Sequence, residues 1–213
     1  CAQSIMSKYR DKSCGSFGHI GCFSAHPLKN LNASGDGGFL VTNTKKNYLL
    51  AKSLRTHGMI NRNKVYNFGY VSRLDSIQAV ILNFRLRNLR KLIKIRRKNF
   101  NNYKKYLIKN KNVFFPDEKK YQYNTYHTFV IQASKRDQLK KFLKKKGVET
   151  AIHYPIPIHL QPAAKYLRYK KGSLPFTEKQ SKKILTLPIN QFLKENEIRY
   201  ISELINEFYE KKI

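Results

Sequence analysis

Lys29 differs from the other basic residues of this chain in its surroundings. The chain contains 43 Lys and Arg and has a formal net charge of +30, yet the five positions on either side of Lys29 hold no other Lys, Arg, Asp or Glu. Partly apolar surroundings disfavour the ammonium form of a lysine, and a neutral amine can form a Schiff base with a carbonyl. The commonest protein use of that chemistry is the attachment of pyridoxal 5'-phosphate. The alternative is a solvated loop lysine, which composition alone favours.

Four blocks of sequence, taken in order, surround and follow this lysine. They comprise residues 15–31 with 35–42, then His57-Gly58 with 69–79, then 152–162, and finally 185–188. Together the blocks resemble the DegT/DnrJ/EryC1/StrS aminotransferases, and the resemblance extends over residues 1–213. It implies a pyridoxal-phosphate enzyme of the fold-type I, aspartate aminotransferase-like class, which aminates nucleotide-linked keto-sugars.

The resemblance also implies roles for individual residues. Lys29 would hold the cofactor and act as the catalytic base, Ser24 would bind the cofactor phosphate, and Gln3 would lie near the cofactor ring oxygen. Weaker implied positions, in or near a sugar-binding cleft, are His26, Arg73, His153 and Tyr154. Without the resemblance, these residues are equally well explained as a strand-end hydroxyl (Ser24), surface groups (Gln3 and Arg73) and part of a turn (Tyr154). His159 is expected to be a loop histidine with satisfied hydrogen bonds.

The chain departs from the family pattern in two places. The family's pyridinium-binding Asp would lie three residues before Gln3, outside the sequence, so we expect a C-terminal portion of such an enzyme that is inactive in isolation. Val71 stands where the family usually has an Asn that reaches the cofactor phosphate of the partner subunit. Two alternatives stay open: an inactive fragment or relative of the family, and a basic module that binds nucleic acid or an anionic surface.

The predicted fold class is α/β. The expected parts are the remainder of a cofactor-binding large domain over 1–84, a long connecting helix and linker over 85–112, and a small C-terminal α/β domain over 113–213. Hydrophobic periodicity and turn residues predict strands at Gly21–Ser24, 39–42, 126–132 and 149–154. They predict helices at 47–57, about 73–107, 136–146 and Glu195–Glu210, with a polar link over about 109–125.

Composition narrows the remaining function classes. Three cysteines without CxxC spacing argue against a disulfide framework and favour a reducing, cytoplasmic setting. The six histidines show no zinc-like spacing, which predicts no metal site, and no apolar run approaches the length of a membrane span. The start of the chain lacks the features of a signal peptide.

The basic residues concentrate in one stretch, because residues 85–111 hold twelve Lys and Arg and no acid. No nucleic-acid recognition motif accompanies them, so we interpret the stretch as solvated surface. The family resemblance implies as partners a nucleotide-linked keto-sugar, an amino-acid donor such as glutamate, and a second copy of the full-length chain. No specific nucleic acid and no membrane are expected.

Overall fold

The computed structural model describes residues 1–108 and 111–210. It consists of short antiparallel strands and α-helices. In chain order the strands are β1 (Lys8–Tyr9), β2 (Lys12–Ser13), β3 (Gly21–Ser24), β4 (Gly38–Val41), β5 (Met59–Asn61), β6 (Lys64–Val65), β7 (Val113–Phe114), β8 (Gln122–Tyr123), β9 (Phe129–Ala133) and β10 (Ile184–Leu187). The helices are α1 (Lys45–Leu54), α2 (Ser76–Tyr106), α3 (Arg136–Lys145), α4 (Pro175–Ser181) and α5 (Glu195–Glu210). Two 3-10 segments cover Ile158–Leu160 and Pro162–Leu167. The mixed α/β class agrees with the prediction.

The chain packs as two compact units. The first comprises Cys1–Lys94 and Glu118–His127, and the second comprises Ile95–Asp117 and Thr128–Ile213. Glu118–His127 packs with the N-terminal residues although it follows α2 in sequence. Residues 109 and 110 of the predicted link lie outside the described residues.

In the first unit, the segment that carries Lys29 follows β3 and precedes β4. The two strands pair antiparallel, with Gly21 opposite Val41 and Ser24 opposite Gly38. Two further small sheets complete the unit, one with the strand order β2-β1-β8 and the other formed by β5 and β6. The hairpin therefore fixes both ends of the Lys29 loop.

The core of the first unit forms where the Lys29 loop meets α2. Ala25, Leu31 and Ala33 of the loop cluster with Leu82, Leu89 and Ile93 of the helix, and all six are buried. The helix positions are separated by seven and four residues, the spacing that places side chains on one face of an α-helix. The predicted long amphipathic helix is thus confirmed, although it begins at Ser76 rather than near residue 73.

The second unit is built on an antiparallel sheet with the strand order β10-β9-β7. Alternate residues of β9, namely Phe129, Ile131 and Ala133, are buried, as expected for a strand with one face towards a core. Helix α3 contributes Leu139 and Leu143 to the buried residues, and α5 contributes Ile198 and Ile205. The predicted bounds of α5 are confirmed.

Three predicted elements are corrected by the structure. The predicted strand at 149–154 is wrong, because only Ala151 forms a bridge, to Thr186 of β10. The predicted strand at 126–132 begins later, at Phe129. Helix α1 starts at Lys45, where the Thr44 hydroxyl accepts a hydrogen bond from Asn47 N, and it ends three residues before the predicted end.

The early end of α1 has a local cause. Both His57 and Gly58 have positive φ angles, of 59° and 75°, which interrupts a right-handed helix. A Cβ atom on Gly58 would lie 1.5 Å from Asn67 O, so only glycine fits there. Leu49 and Leu50 of α1 are 50% and 45% exposed, whereas the sequence predicts an apolar helix face at these positions.

Residues 1–108 and 111–210 contain neither a helix that could span a membrane nor a cluster of side chains that could hold a metal ion. None of the helices there combines the length and apolar character that crossing a bilayer requires. In the same residues, no three His, Cys, Asp or Glu side chains lie close enough together to hold a metal ion.

The aromatic cluster around Phe129 provides a test of the second core. Phe129 is 3% exposed, and its ring centroid lies 4.9–5.4 Å from those of Phe100, Tyr103 and Phe115. We predict that Phe129→Ala lowers the free energy of unfolding of this unit by about 3–5 kcal/mol, through lost burial and a residual cavity. Hydrogen exchange of peptides from β9 and α3, measured by mass spectrometry, would report the change.

The matched control is Phe114→Ala on the neighbouring strand β7, where the side chain is 54% exposed. That change is expected to alter exchange in β9 by less than about 1 kcal/mol. Equal effects of the two substitutions would contradict the assignment of Phe129 to the core.

Candidate functional site

Lys29 lies on a loop whose base is closed by backbone hydrogen bonds. Ala25 N donates to Gly37 O at 2.7 Å, and Ala33 N donates to Ala25 O at 2.8 Å. Lys29 N donates to His26 O at 2.8 Å, which closes a tight turn directly before the lysine. The Lys29 side chain is half-buried. The loop therefore presents a partly accessible amine on a constrained backbone.

Side chains of α2 bind the far side of the same loop. Arg85 Nη1 donates to Asn32 O at 2.8 Å and to Ala33 O at 3.2 Å. Gln78 Oε1 accepts a hydrogen bond from Ser34 N at 2.8 Å. Because these bonds satisfy backbone groups that β3 and β4 leave unpaired, the helix holds the loop in one conformation.

Glu118–His127, which we call the return segment, contacts Lys29 and its neighbour. Asn30 is buried, and its Nδ2 donates to Thr125 O at 3.1 Å. The Thr125 hydroxyl in turn lies 3.1 Å from the hydroxyl of Ser7. Two residues further along the chain, His127 Nε2 lies 3.5 Å from Lys29 Nζ. The structure thus brings an imidazole to the candidate cofactor lysine.

His127 was not predicted as a site residue. The sequence places it at the start of a strand, next to a polar link, and nothing in its immediate neighbours marks it. Lys29 and His127 are 98 positions apart, so only the fold brings them together. A weak signal was the position of a lone histidine just before the buried Phe129.

Ser24 and His26 form a short chain of hydrogen bonds beside Lys29. His26 N donates to Ser24 Oγ at 3.3 Å, and Leu28 N donates to His26 Nδ1 at 3.2 Å. A hydroxyl oxygen that accepts from a backbone amide keeps its own hydrogen for donation to another group. Because Nδ1 of His26 accepts, the ring hydrogen of a neutral His26 is on Nε2.

The other predicted site residues are divided between the two units. Gln3 and Arg73 belong to the first unit, and both are exposed. His153 and Tyr154 belong to the second unit, where both are exposed and their rings meet edge to face. His153 Nδ1 lies 2.9 Å from Thr186 Oγ1. The cofactor- and substrate-binding roles of these residues stay predictions.

Thr186 also lines a cleft of the second unit. The cleft has a volume of about 800 Å³, and its walls include Val148, Leu187, Leu193 and Ile201. These apolar walls would suit a nonpolar group, whereas the hydroxyl of Thr186 is directed to His153.

His159 has a structural role, in agreement with the expectation from sequence. Its buried Nε2 lies 3.1 Å from Glu178 Oε1, and the same carboxylate accepts hydrogen bonds from Gly172 N, at 2.8 and 3.0 Å, and from Leu174 N. The Gly172 amide and then His159 lower the pKa of Glu178 below its usual range. The Glu178 carboxylate therefore ties residues 172–174 and His159 to α4.

Residues 1–206 match the model of the DegT/DnrJ/EryC1/StrS aminotransferase family. The chain is 40% identical to a protein of Geobacillus stearothermophilus named pleiotropic regulatory protein, over 98% of the chain and 56% of that protein. It is 35% identical to the UDP-N-acetyl-3-dehydro-alpha-D-glucosamine 3-aminotransferase of Acidithiobacillus ferrooxidans, over 96% of the chain and 55% of that enzyme.

Solved structures give the same result. The crystal structure of a DegT DnrJ EryC1 StrS aminotransferase from Brucella abortus matches with a TM-score of 0.91 at 32% identity, covering 99% of this chain and 56% of that one. The fold is therefore of the aminotransferase type. The chain belongs to the DegT/DnrJ/EryC1/StrS aminotransferase family, which confirms the resemblance seen in the sequence. It spans a little over half the length of these relatives.

The Glu178 contacts generate a pH-dependent prediction. A carboxyl whose pKa is lowered on folding stabilises the fold above its unfolded pKa of about 4.3, and this contribution is lost as the pH falls through the folded pKa. We expect the amide proton of Gly172 to shift, between pH 7 and 3, with an inflection below about 4.3 in heteronuclear NMR spectra. Glu178→Gln should remove the inflection, because the amide does not titrate.

Glu203→Gln is the matched control, since Glu203 pairs with Arg199 on the exposed surface of α5. This variant should keep the inflection at Gly172. An inflection that persists in Glu178→Gln would show that another group titrates beside the loop.

Proposed function

We propose that this chain carries the cofactor lysine of a pyridoxal-phosphate-dependent sugar aminotransferase, and that Lys29 is this lysine. The observation that carries the proposal is the half-buried amine of Lys29, set on a loop constrained by α2 and by the return segment. Membership in an aminotransferase family supports it. A solvated loop lysine would need none of these constraints.

The residues present suit the cofactor. A partly accessible amine can reach an aldehyde, and the Ser24 hydroxyl has a hydrogen available for a phosphate oxygen because it accepts from His26 N. Gln3 is exposed in the same unit and offers an amide for a ring oxygen. We therefore assign Lys29, Ser24 and Gln3 as the cofactor-binding residues of this chain.

When bound, pyridoxal phosphate supplies a carbonyl carbon that exchanges amines and a ring that accepts electrons. The role of the protein is to place groups around it. Ser24 would hold the phosphate end, and Lys29 Nζ would hold the carbonyl end. Lys29 Nζ would also be the basic atom that takes a proton from the substrate and returns it.

The proposed acceptor is a nucleotide-linked keto-sugar, and the proposed donor is glutamate. The enzyme name of the Acidithiobacillus relative, which specifies a UDP-linked 3-dehydro sugar, supports this substrate class. His26, Arg73, His153 and Tyr154 are proposed to contact the sugar or its phosphates, because imidazole, guanidinium and phenol groups bind hydroxyl and phosphate oxygens. The product would serve cell-surface glycan or deoxysugar synthesis.

The proposed architecture follows from the same family membership. We assign the first unit to a fold-type I large domain and the second to the small C-terminal domain. In the full-length protein we propose a homodimer. The position of Val71, which is 65% exposed, would then lack the hydrogen bond that an Asn gives to the partner's cofactor.

Trapping of the cofactor by borohydride tests the assignment of Lys29. We predict that equimolar pyridoxal phosphate, followed by reduction, modifies Lys29 in preference to the other lysines, because Ser24 and the constrained loop hold the cofactor there. Peptide mapping by mass spectrometry would locate the adduct. Lys29→Arg should remove the preferred adduct and leave the surface labelling unchanged.

Lys46→Arg is the control, because Lys46 lies on the exposed helix α1. This variant should retain the preferred adduct at Lys29. Labelling that is spread over exposed lysines, and that Lys29→Arg does not change, would show that Lys29 is not the cofactor lysine.

A further inference from the structure

Within the described residues, the imidazole of His127 contacts the amine of Lys29. The distance of 3.5 Å between Nε2 and Nζ is longer than that of an ordinary hydrogen bond. The imidazole is half-buried, and it comes from a part of the sequence to which no site role has been given. The question is what this ring does for the lysine.

The backbone near His127 is anchored to the Lys29 loop independently of the two side chains. Thr125 is 1% exposed and binds both Asn30 and Ser7. Asn30 directly follows Lys29, and Thr125 lies two residues before His127. Each partner of the contact therefore lies within two residues of a buried hydrogen bond that joins the same two segments. This bond keeps the imidazole close to the amine.

The chemistry of the two groups decides between a base and a positioning residue. An ordinary ammonium is about four pKa units less acidic than an ordinary imidazolium, so transfer of a proton from Nζ to Nε2 would be unfavourable by about 10⁴-fold. A lysine ammonium is a donor only, whereas a neutral imidazole has one nitrogen that accepts. A hydrogen bond from Nζ to Nε2 therefore requires the neutral tautomer with the ring hydrogen on Nδ1.

We propose that His127 is a positioning residue for Lys29: its Nε2 accepts a hydrogen bond from Nζ and holds the amine in one orientation. This proposal rests on the proposed role of Lys29 as the cofactor lysine. An amine held in place before the cofactor arrives loses less conformational freedom on reaction, which favours attachment at Lys29 over the many mobile surface lysines.

The first test measures the contact itself and needs no cofactor. Long-range proton–nitrogen NMR spectra of the chain at neutral pH distinguish a ring nitrogen that carries hydrogen from one that accepts. We expect His127 as the Nδ1–H tautomer, with Nε2 as acceptor. Lys29→Met removes the donor with little change in length, and the nitrogen signals of His127 should shift towards a mixture of tautomers.

The second test uses a conservative rescue. His127→Phe, which lacks an acceptor, should slow the trapping of pyridoxal phosphate at Lys29 by about fivefold to tenfold, the loss expected for one hydrogen bond. His127→Gln retains an acceptor and should restore the rate to within about twofold of the wild type. Circular dichroism of both variants would confirm that they are folded.

The outcomes separate the two proposals. An Nε2–H tautomer, or His127 signals that Lys29→Met leaves unchanged, would overturn the positioning role of His127. Equal trapping rates in His127→Phe and His127→Gln would overturn it as well. If the NMR coupling is observed but Lys29 is not labelled preferentially, the cofactor role of Lys29 fails while the contact between the two residues stands.

Discussion

The hydrogen bond between Asn30 and Thr125 is the interaction on which the candidate site depends. Asn30 is 8% exposed, and a buried amide without a partner costs about 1–3 kcal/mol. Its Nδ2 donates to a carbonyl that lies 95 residues further along the chain. This bond therefore fixes the residue after Lys29 to the residue two before His127. The positions of the Lys29 amine and the His127 imidazole depend on it.

The same loop depends on α2 in a second way. The carbonyls of Asn32 and Ala33 accept from Arg85, and the amide of Ser34 donates to Gln78. A loop of this length leaves backbone groups unpaired, and two side chains of α2 satisfy three of them. The apolar residues between these polar contacts, Leu31 and Ala33, close the core against the helix. The position of the amine is thus a property of the whole first unit.

Elements set by local pattern were predictable from the sequence. The bounds of β3 and α5 agree with the prediction, because a short apolar run between turns and a clear helical stripe determine them. The exposed part of the basic run of α2 also has a local explanation. Arg87, Arg90 and Lys91 are exposed around the buried Leu89, so these charges are the solvent face of an amphipathic helix.

Elements set by distant partners were not predictable. The segment around Ala151 has the composition of a strand but pairs only through one bridge to Thr186, because a strand requires a partner along its length and not merely a propensity. The return segment has the polar composition of a link, yet Thr125 is among the most buried residues of the chain. Its place in the first unit follows from contacts with Ser7 and Asn30 that no local window contains.

The partners of the histidines were likewise not predictable from local sequence. His159 donates to a carboxylate, His26 accepts from its own loop, and His127 faces a lysine amine. An imidazole beside a carboxylate stabilises a fold, one that caps a turn shapes a loop, and one beside an amine orients a nucleophile. The residue type is identical in the three cases, so the partner that the fold supplies determines the role. For Lys29 that partner is His127 of the return segment, which follows α2 in sequence. The distinct surroundings of the lysine therefore depend on the packing of the return segment.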